Sequence, residues 1–281
     1  MKYSFEFFPP RTDKGLANLR RTWQELSRYS PEYFSVTFGA GGSTLEGTFD
    51  TIRAIAEDAG APATPHISCI SATRAGVLKL LNRYREIGVN RLVVLRGDVP
   101  SGMYSPGEFR HANELVAFIR AEHGDHFHIS VAAYPEVHPQ AKSAQQDLEN
   151  FVRKVEAGAD VAITQYFFNA DGYFDFVARA RAAGVSIPIV PGIMPITNFE
   201  QLARFSDTCG AEIPRWLRQQ LAGMEDRSDA MVELGVRVIT RLCRELQQGG
   251  VDELHFYALN KAAASGRIIA NLSAQTRDRS S

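Results

Sequence analysis

Cysteine is scarce in this chain: 281 residues hold only Cys69, Cys209 and Cys243. Three widely spaced cysteines cannot build a disulfide framework, so free thiols and a reducing compartment are expected. An excess of either charge is also missing. The 31 basic residues nearly cancel the 32 acidic ones, for a formal net charge of -1. That balance argues against a polybasic chain made for nucleic acid or anionic membrane, without excluding a local basic site. No apolar run approaches the roughly 18 residues of a membrane span. Glu6, Pro9 and Pro10 interrupt the apolar stretch that a secretion signal would need, so a cytoplasmic protein is expected. There is no Gly-x-Ser-x-Gly elbow and no P-loop, which removes serine hydrolases and P-loop NTPases. Linkers, low-complexity runs and internal repeats are lacking too, so residues 1–281 read as one domain.

What is present is a 44% hydrophobic chain whose apolar pattern alternates between two periods. Short β-rich runs occupy residues 3–8, 33–38, 64–70, 91–95, 128–134, 161–168, 186–193 and 253–259. Most are continuously apolar, as suits parallel strands buried on both faces. Stretches of helical spacing separate them, such as Leu78, Leu81, Tyr84 and Ile87, or Leu148, Phe151, Val152 and Val155. Alternating strands and helices over this length predict a (β/α)8 TIM barrel. The runner-up, a doubly wound sheet, lacks its fingerprint: Phe38-Gly39-Ala40-Gly41-Gly42-Ser43 has no third glycine in place. Between the seventh and eighth strands there is room for extra helices, one beginning near Pro214 and another marked by Met231, Leu234, Val238 and Leu242. The polar tail, residues 273–281, is expected to fray.

A barrel of this kind carries its chemistry at the carboxyl ends of its strands. Those ends hold Glu6, Thr37, His66, Arg96 with Asp98, Tyr134, Gln165, and Asn260 with Lys261. In Ser4-Phe5-Glu6-Phe7-Phe8, alternation puts Ser4, Glu6 and Phe8 on one face. A carboxyl flanked by aromatics is expected to be desolvated, its pKa raised and its proton available near neutrality; a structural Glu paired with an internal Arg or Lys is the alternative. Gly97 in Arg96-Gly97-Asp98 permits close backbone approach, and Asp98 can accept hydrogen bonds from a heterocycle; a plain turn is the alternative. Asp147, Asn150 and Lys154 share a helix face, with Arg153 beside them off the apolar stripe. Such a set suits a ribose and a diphosphate, or is simply a solvated face. His123-Gly124-Asp125-His126-Phe127-His128 precedes a strand and so falls at the wrong end of the barrel for a metal centre. His66 and Cys69 lack a third ligand nearby, so no metal is expected.

Several blocks together carry a resemblance: Ser4-Phe5-Glu6-Phe7-Phe8-Pro9-Pro10-Arg11, Val36-Thr37-Phe38-Gly39-Ala40, Pro65-His66-Ile67-Ser68-Cys69-Ile70, Leu95-Arg96-Gly97-Asp98, Val131-Ala132-Ala133-Tyr134-Pro135-Glu136-Val137-His138-Pro139, Ala162-Ile163-Thr164-Gln165-Tyr166-Phe167-Phe168, Pro191-Gly192-Ile193-Met194-Pro195 and His255-Phe256-Tyr257-Ala258-Leu259-Asn260. In this order they resemble the methylenetetrahydrofolate reductase family in its bacterial form, a catalytic barrel only. The resemblance implies a flavoprotein that binds FAD and reduces 5,10-methylenetetrahydrofolate to 5-methyltetrahydrofolate with NADH or NADPH. A ping-pong mechanism, a place in one-carbon metabolism and methionine synthesis, and a homo-oligomer (dimer or tetramer) come with it.

The resemblance also implies residue roles. Glu6 matches the general acid and Asp98 a carboxylate beside flavin and pterin. Thr37, Gln165, Phe199 and Lys261 match positions at the folate or nicotinamide. Thr37, Ala40, His66, Arg96, Gly97, Asp98, Tyr134, His138 and Ala141 match positions around the flavin, ribityl chain and diphosphate, with His111 and Ala112 nearby. Asp147, Asn150, Arg153 and Lys154 match the helix that holds the adenosine and diphosphate end. Lys261 stands where bacterial relatives have arginine, so the charge is kept and the bidentate fork is lost. Two rival readings are a flavin-free pterin barrel that passes a methyl group to a corrinoid, and a flavin-binding barrel without turnover.

Overall fold

The computed structural model describes residues 1–38, 42–97, 107–224 and 227–278. Their order is β1 (Lys2–Phe7), α1 (Asp13–Leu26), a short 3-10 turn, β2 (Tyr33–Val36), α2 (Gly42–Asp58), β3 (Ala63–Ser68), α3 (Arg74–Glu86), β4 (Arg91–Leu95), α4 (Ala112–His123), β5 (His128–Ala133), α5 (Ala144–Glu156), β6 (Val161–Thr164), α6 (Ala170–Ala182), β7 (Ile189–Val190), β8 (Gly192–Ile193), α7 (Phe199–Cys209), α8 (Arg215–Ala222), α9 (Ser228–Gln248), β9 (Glu253–Tyr257) and α10 (Ala263–Asp278). All pairings are parallel, and the sheet runs β7-β6-β5-β4-β3-β2-β1-β9-β8. Its two edges, β7 and β8, are one segment interrupted only at Pro191, which has no N–H to give to a ladder. The Pro191 carbonyl still accepts the His255 N–H at 3.1 Å. The nine strands therefore make the eight staves of a (β/α)8 barrel, as the alternating periodicity predicts.

Alternation along β1 sorts the two sides of the wall. Phe5 and Phe7 are buried outside the barrel against Phe34 and Phe256, and each such burial contributes about 1.5–3 kcal/mol. Tyr33, Val93 and Ile163 form a separate small cluster with Leu95, the apolar filling inside the barrel. Polar groups share that interior: Ser4, Ser35, Thr64, His66, Ser130 and His255 are all buried.

Helices begin where side chains cap them. Thr12, Thr73, Ser143, Asn169 and Asn198 each accept a backbone N–H from the first turn of the helix that follows. In α3 the buried stripe is Val77, Leu80, Leu81 and Tyr84, while Leu78 and Ile87 are only partly buried. The face is thus rotated from the one spacing suggested, because Val77 and Leu80 at i and i+3 fill the groove against the sheet. Three helices, α7, α8 and α9, lie between the last two staves, where a regular barrel has one. Helix α10 continues to Asp278, past Ser273 where a polar tail was expected to start. Among the described residues no helix is long and apolar enough to cross a membrane.

Candidate active site

Two cavities open at the carboxyl ends of the strands. The larger, about 710 Å³, reaches from Glu6, Thr37, His66 and Ser68 to Gly97, Tyr134, Gln165 and Tyr257. The smaller, about 460 Å³, lies against Phe8, Met194, Phe205, Thr208, Cys209 and Leu259. Glu6, Thr37, Gln165 and Tyr257 belong to both, so they form a shared wall. The larger volume falls in the range of small-molecule and cofactor sites.

Glu6 is the centre of that wall. Its Oε2 lies 3.3 Å from His66 Nε2 and 3.6 Å from His255 Nε2. Its partners are therefore two imidazoles rather than an internal Arg or Lys. Burial works against its charge, but the facing histidines outweigh burial, and its pKa lies below the ordinary carboxylate value. This corrects the expectation of a raised pKa: Phe5 and Phe7, which suggested it, turn to the other side of the wall. For His66 burial is the larger effect and Glu6 only opposes it, so the imidazole is also shifted down. Both shifts draw protons off the cluster. Tyr257 completes it; burial and then Glu6 raise its pKa well above the usual value, keeping a neutral hydroxyl that donates to the Thr164 carbonyl at 2.7 Å.

Below Glu6 sits a second polar layer. Ser4 faces Tyr33 across β2 on one side and His255 across β9 on the other. Ser4 Oγ is 2.8 Å from His255 Nδ1, and Tyr33 stacks on the His255 ring. Burial raises the Tyr33 pKa and holds its hydroxyl protonated.

A third group gathers beside the larger cavity. Gly97 sits at φ 81°, where a side chain is strained, and a Cβ there would lie 2.1 Å from Ser68 Oγ. Arg96 bonds Gln140; Asp147 accepts the His138 N–H at 2.9 Å; and Tyr134, which lines the cavity, packs edge-on to His138 at 4.5 Å. The intervening Val137 holds φ 67°, a costly conformation for a β-branched residue. Ala141 caps the turn by donating to the His138 carbonyl. Lys154 is not on the solvated face that the spacing suggested. Its amine is tucked against the barrel and donates to the Ala132 carbonyl at 2.5 Å. Burial lowers its pKa to about 8; Asp147 opposes that shift and Arg96 adds to it. Asn150 and Arg153 remain exposed and bond each other.

Other expected positions fall elsewhere. Ala40 and Asp98 lie outside the described residues. His111 is the exposed N-cap of α4 and Ala112 its buried first residue; neither borders either cavity. Phe199 opens α7 half-buried, and Lys261 is exposed beyond β9; neither borders a cavity. Asn260 is a tie between staves: it accepts from Phe8 N–H at 3.0 Å and donates to the Phe8 carbonyl at 2.9 Å. Sequence reasoning passed over His255, Ser4, Tyr257 and Phe205 as site residues. Alternation along the last strand, which sets His255 and Tyr257 on one face, was the available signal for two of them. Among the described residues no cluster of His, Cys, Asp or Glu could hold a metal ion.

A family model described as methylenetetrahydrofolate reductase matches residues 1–273. The chain belongs to the methylenetetrahydrofolate reductase family. It is 41% identical over 269 residues to the 5,10-methylenetetrahydrofolate reductase of Escherichia coli, covering 96% of this chain and 90% of that one. It is 35% identical to methylenetetrahydrofolate reductase (NADH) 1 of Arabidopsis thaliana, covering 96% of this chain but 48% of that longer protein. Among solved structures, the fold is similar to a Clostridium thermocellum protein that binds two copies of 5-methyl-5,6,7,8-tetrahydrofolic acid, with a TM-score of 0.65 at 15% identity over 96% of this chain and 93% of that one. Membership of the methylenetetrahydrofolate reductase family makes the chain an oxidoreductase, and its barrel is the one the alternating pattern predicts.

Proposed function

We propose that the protein reduces 5,10-methylenetetrahydrofolate to 5-methyltetrahydrofolate with electrons from NADH or NADPH, using FAD. The observation that carries this reading is the shared wall: two cavities meet at Glu6, Thr37, Gln165 and Tyr257. The larger is assigned to FAD. Thr37, His66, Gly97 and Tyr134 line it, and Gly97 keeps the backbone bare there; Arg96, Lys154, Asp147 and Asn150 do not border it, and their part in holding a diphosphate and hydroxyls is what the resemblance implies. When bound, the flavin stores a hydride between the two substrates. The smaller cavity is assigned to nicotinamide and folate in turn. One substrate cavity beside one cofactor cavity supports ping-pong order.

This chain's own groups do the rest. Gln165 has both donor and acceptor atoms, so one amide serves the carboxamide and the pterin in turn. Glu6 delivers a proton to the folate nitrogen that leaves the methylene carbon as the five-membered ring opens. Phe8, Met194 and Phe205 present apolar surface for a stacked ring and exclude water. Asp98, by the resemblance, adds a carboxylate that favours the cationic carbon.

The test is anaerobic. NADH and NADPH are mixed separately with FAD-loaded protein, and bleaching of the flavin is followed; methylenetetrahydrofolate is then added. Bleaching followed by return of colour, with 5-methyltetrahydrofolate formed, is expected. A protein that takes up no FAD, or whose bleached flavin ignores the folate, overturns the reading.

A further inference from the structure

The loop that follows β5 carries His138 and Tyr134, which lines the larger cavity. This loop is anchored on its own account. The Asp147 carboxylate accepts the His138 N–H at 2.9 Å, His138 Nδ1 accepts the Gln140 N–H at 3.0 Å, and the His138 carbonyl accepts the Ala141 N–H. Pro135 and Pro139 stiffen it, and between them Val137 sits at φ 67°. A strained residue of this kind persists only where its surroundings over-determine it. Glu136, its neighbour, borders neither of the two main cavities. The Glu136 Oε2 instead accepts the backbone N–H of Glu212 at 2.8 Å, just past the end of α7.

We propose that Glu136 is a positioning residue: its carboxylate clamps the end of α7 to the loop after β5 and so fixes the outer wall of the smaller cavity. This rests on the reading above, in which that cavity takes the two substrates. Phe205, Thr208 and Cys209 of α7 line it. The helix ends at Gly210 with φ 76°, and its bare backbone abuts the same loop: a Cβ there would lie 2.8 Å from Pro139 Cγ. One turn earlier, Ser206 Oγ is 3.0 Å from the hydroxyl of Tyr166, which follows β6. Tyr134, Glu136, Val137, Tyr166, Cys209 and Gly210 close around a space of about 10 Å³, the lower limit for a single water. Loop and helix end therefore pack as one body.

The two sides of the clamp are anchored unequally. Without Glu136 the loop keeps its bonds around His138, so the larger cavity keeps its rim. The chain beyond Gly210 is bonded to the loop through the Glu212 N–H, between the buried Ala211 and Ile213. Losing that bond frees the helix end rather than the loop. The role asks only for an acceptor at this reach. Burial is the chief influence on Glu136 and raises its pKa; the Glu212 N–H opposes that shift and the Glu212 carboxylate adds to it. A neutral amide oxygen of the same length therefore serves, whereas a carboxylate one methylene shorter falls short of Glu212.

The variants are Glu136→Ala, Glu136→Asp and Glu136→Gln, each as FAD-loaded protein. Cys209 is partly buried while Cys69 and Cys243 are fully buried, so alkylation of Cys209 by iodoacetamide reads how freely the end of α7 opens. Labelling is expected to quicken about tenfold in Glu136→Ala and Glu136→Asp, as for one lost hydrogen bond to a charged group, and to match wild type in Glu136→Gln. Stopped-flow traces are then taken of bleaching by NADH and of recolouring by methylenetetrahydrofolate. In Glu136→Ala and Glu136→Asp the half-saturating concentration of each substrate should rise about tenfold, with saturated rates within about threefold of wild type and FAD retained. Unchanged labelling in both shorter variants overturns the clamp. Impairment of Glu136→Gln equal to that of Glu136→Ala overturns the hydrogen bond as its cause. Saturated rates that collapse at unchanged half-saturation mark a group in the chemistry and overturn the positioning role. If Glu136→Ala does not fold, Glu136→Asp against Glu136→Gln decides. A wild type that is never recoloured defeats the folate reading instead, and the labelling, which needs no folate, still judges the clamp.

Discussion

Glu6 Oε2 and His66 Nε2 stand 3.3 Å apart, one on β1 and the other on β3, with β2 between them. The carboxyl and the imidazole reach each other across a stave, over the barrel axis. On β2, Ser35 is the partner of Glu6 in register and, on its other side, of Thr64 in β3, two residues before His66, so the pair meets across a step in the ladder.

Glu6→Gln should bind FAD and bleach with NADH at the wild-type rate. It should fail in recolouring by methylenetetrahydrofolate by about 10²–10⁴-fold, the usual worth of a positioned acid. Stopped-flow absorbance of the two half-reactions checks this, and normal recolouring would remove Glu6 from the role.

Stability should fall on mild acidification because of His66. Its pKa in the folded state lies below that of an unfolded histidine, about 6.5, so the unfolded chain binds more protons in that window. Stability from this group is present above about pH 6.5 and is lost as pH falls toward the folded pKa. Glu6, also shifted down, adds a loss of the same sign at lower pH. Urea midpoints at pH 7.5 and 5.5 should drop for wild type and drop less for His66→Gln; equal drops would count against a buried neutral His66.

Lys154→Met should loosen FAD retention yet stabilise the cofactor-free protein at pH 7. The folded pKa of about 8 lies below the value of an unfolded lysine, so burying the charged amine costs stability at neutrality. Wild type should regain ground as pH rises from 8 toward about 10.5, and the gap between the two proteins should close. Urea unfolding at pH 7 and 9.5, with FAD dissociation by fluorescence, measures both effects. A variant less stable at pH 7 would mean that the bond to Ala132 outweighs the buried charge.

Gln165→Glu keeps size and removes the amide donors. Both half-reactions should slow and both substrates bind less well, with FAD retained, since small misplacements cost large factors in rate. A defect in only one half-reaction would show that Gln165 serves one substrate.

Gly192→Ala should destabilise the barrel by roughly 1–3 kcal/mol, the usual range for overpacking. The added Cβ would lie 2.1 Å from the Thr164 carbonyl oxygen and 2.6 Å from the Tyr257 ring. The denaturant midpoint is the readout, and a neutral substitution would mean that Tyr257 moves freely.

Much of this fold was legible because each stave carries its own signal. The continuous apolar runs ending in Phe34 with Val36, or Ile129 with Val131, mark buried parallel strands. The seventh stave was legible as one run, but its break at Pro191 follows from hydrogen bonding that periodicity does not register. At the site, Glu6, Thr37, His66, Tyr134 and Gln165 could be found because strand ends point to the mouth. The histidine environment of Glu6 could not. It depends on which side of the wall Phe5 and Phe7 occupy and on a partner at position 255, at the far end of the chain. Lys154 was misplaced for a related reason: a long side chain can leave its apparent helix face and tuck its amine beneath the helix.

The wall shared by the two cavities divides the molecule into parts that evolve at different liberty. A change at Glu6, Thr37, Gln165 or Tyr257 alters both compartments at once, and improvement for one ligand is a disturbance for the other. Phe205, Thr208 and Cys209 border the smaller compartment without bordering the larger, and all three ride on α7, between the last two staves. On the proposed assignment, substrate preference can therefore drift through one helix while the side given to the cofactor stays as it is.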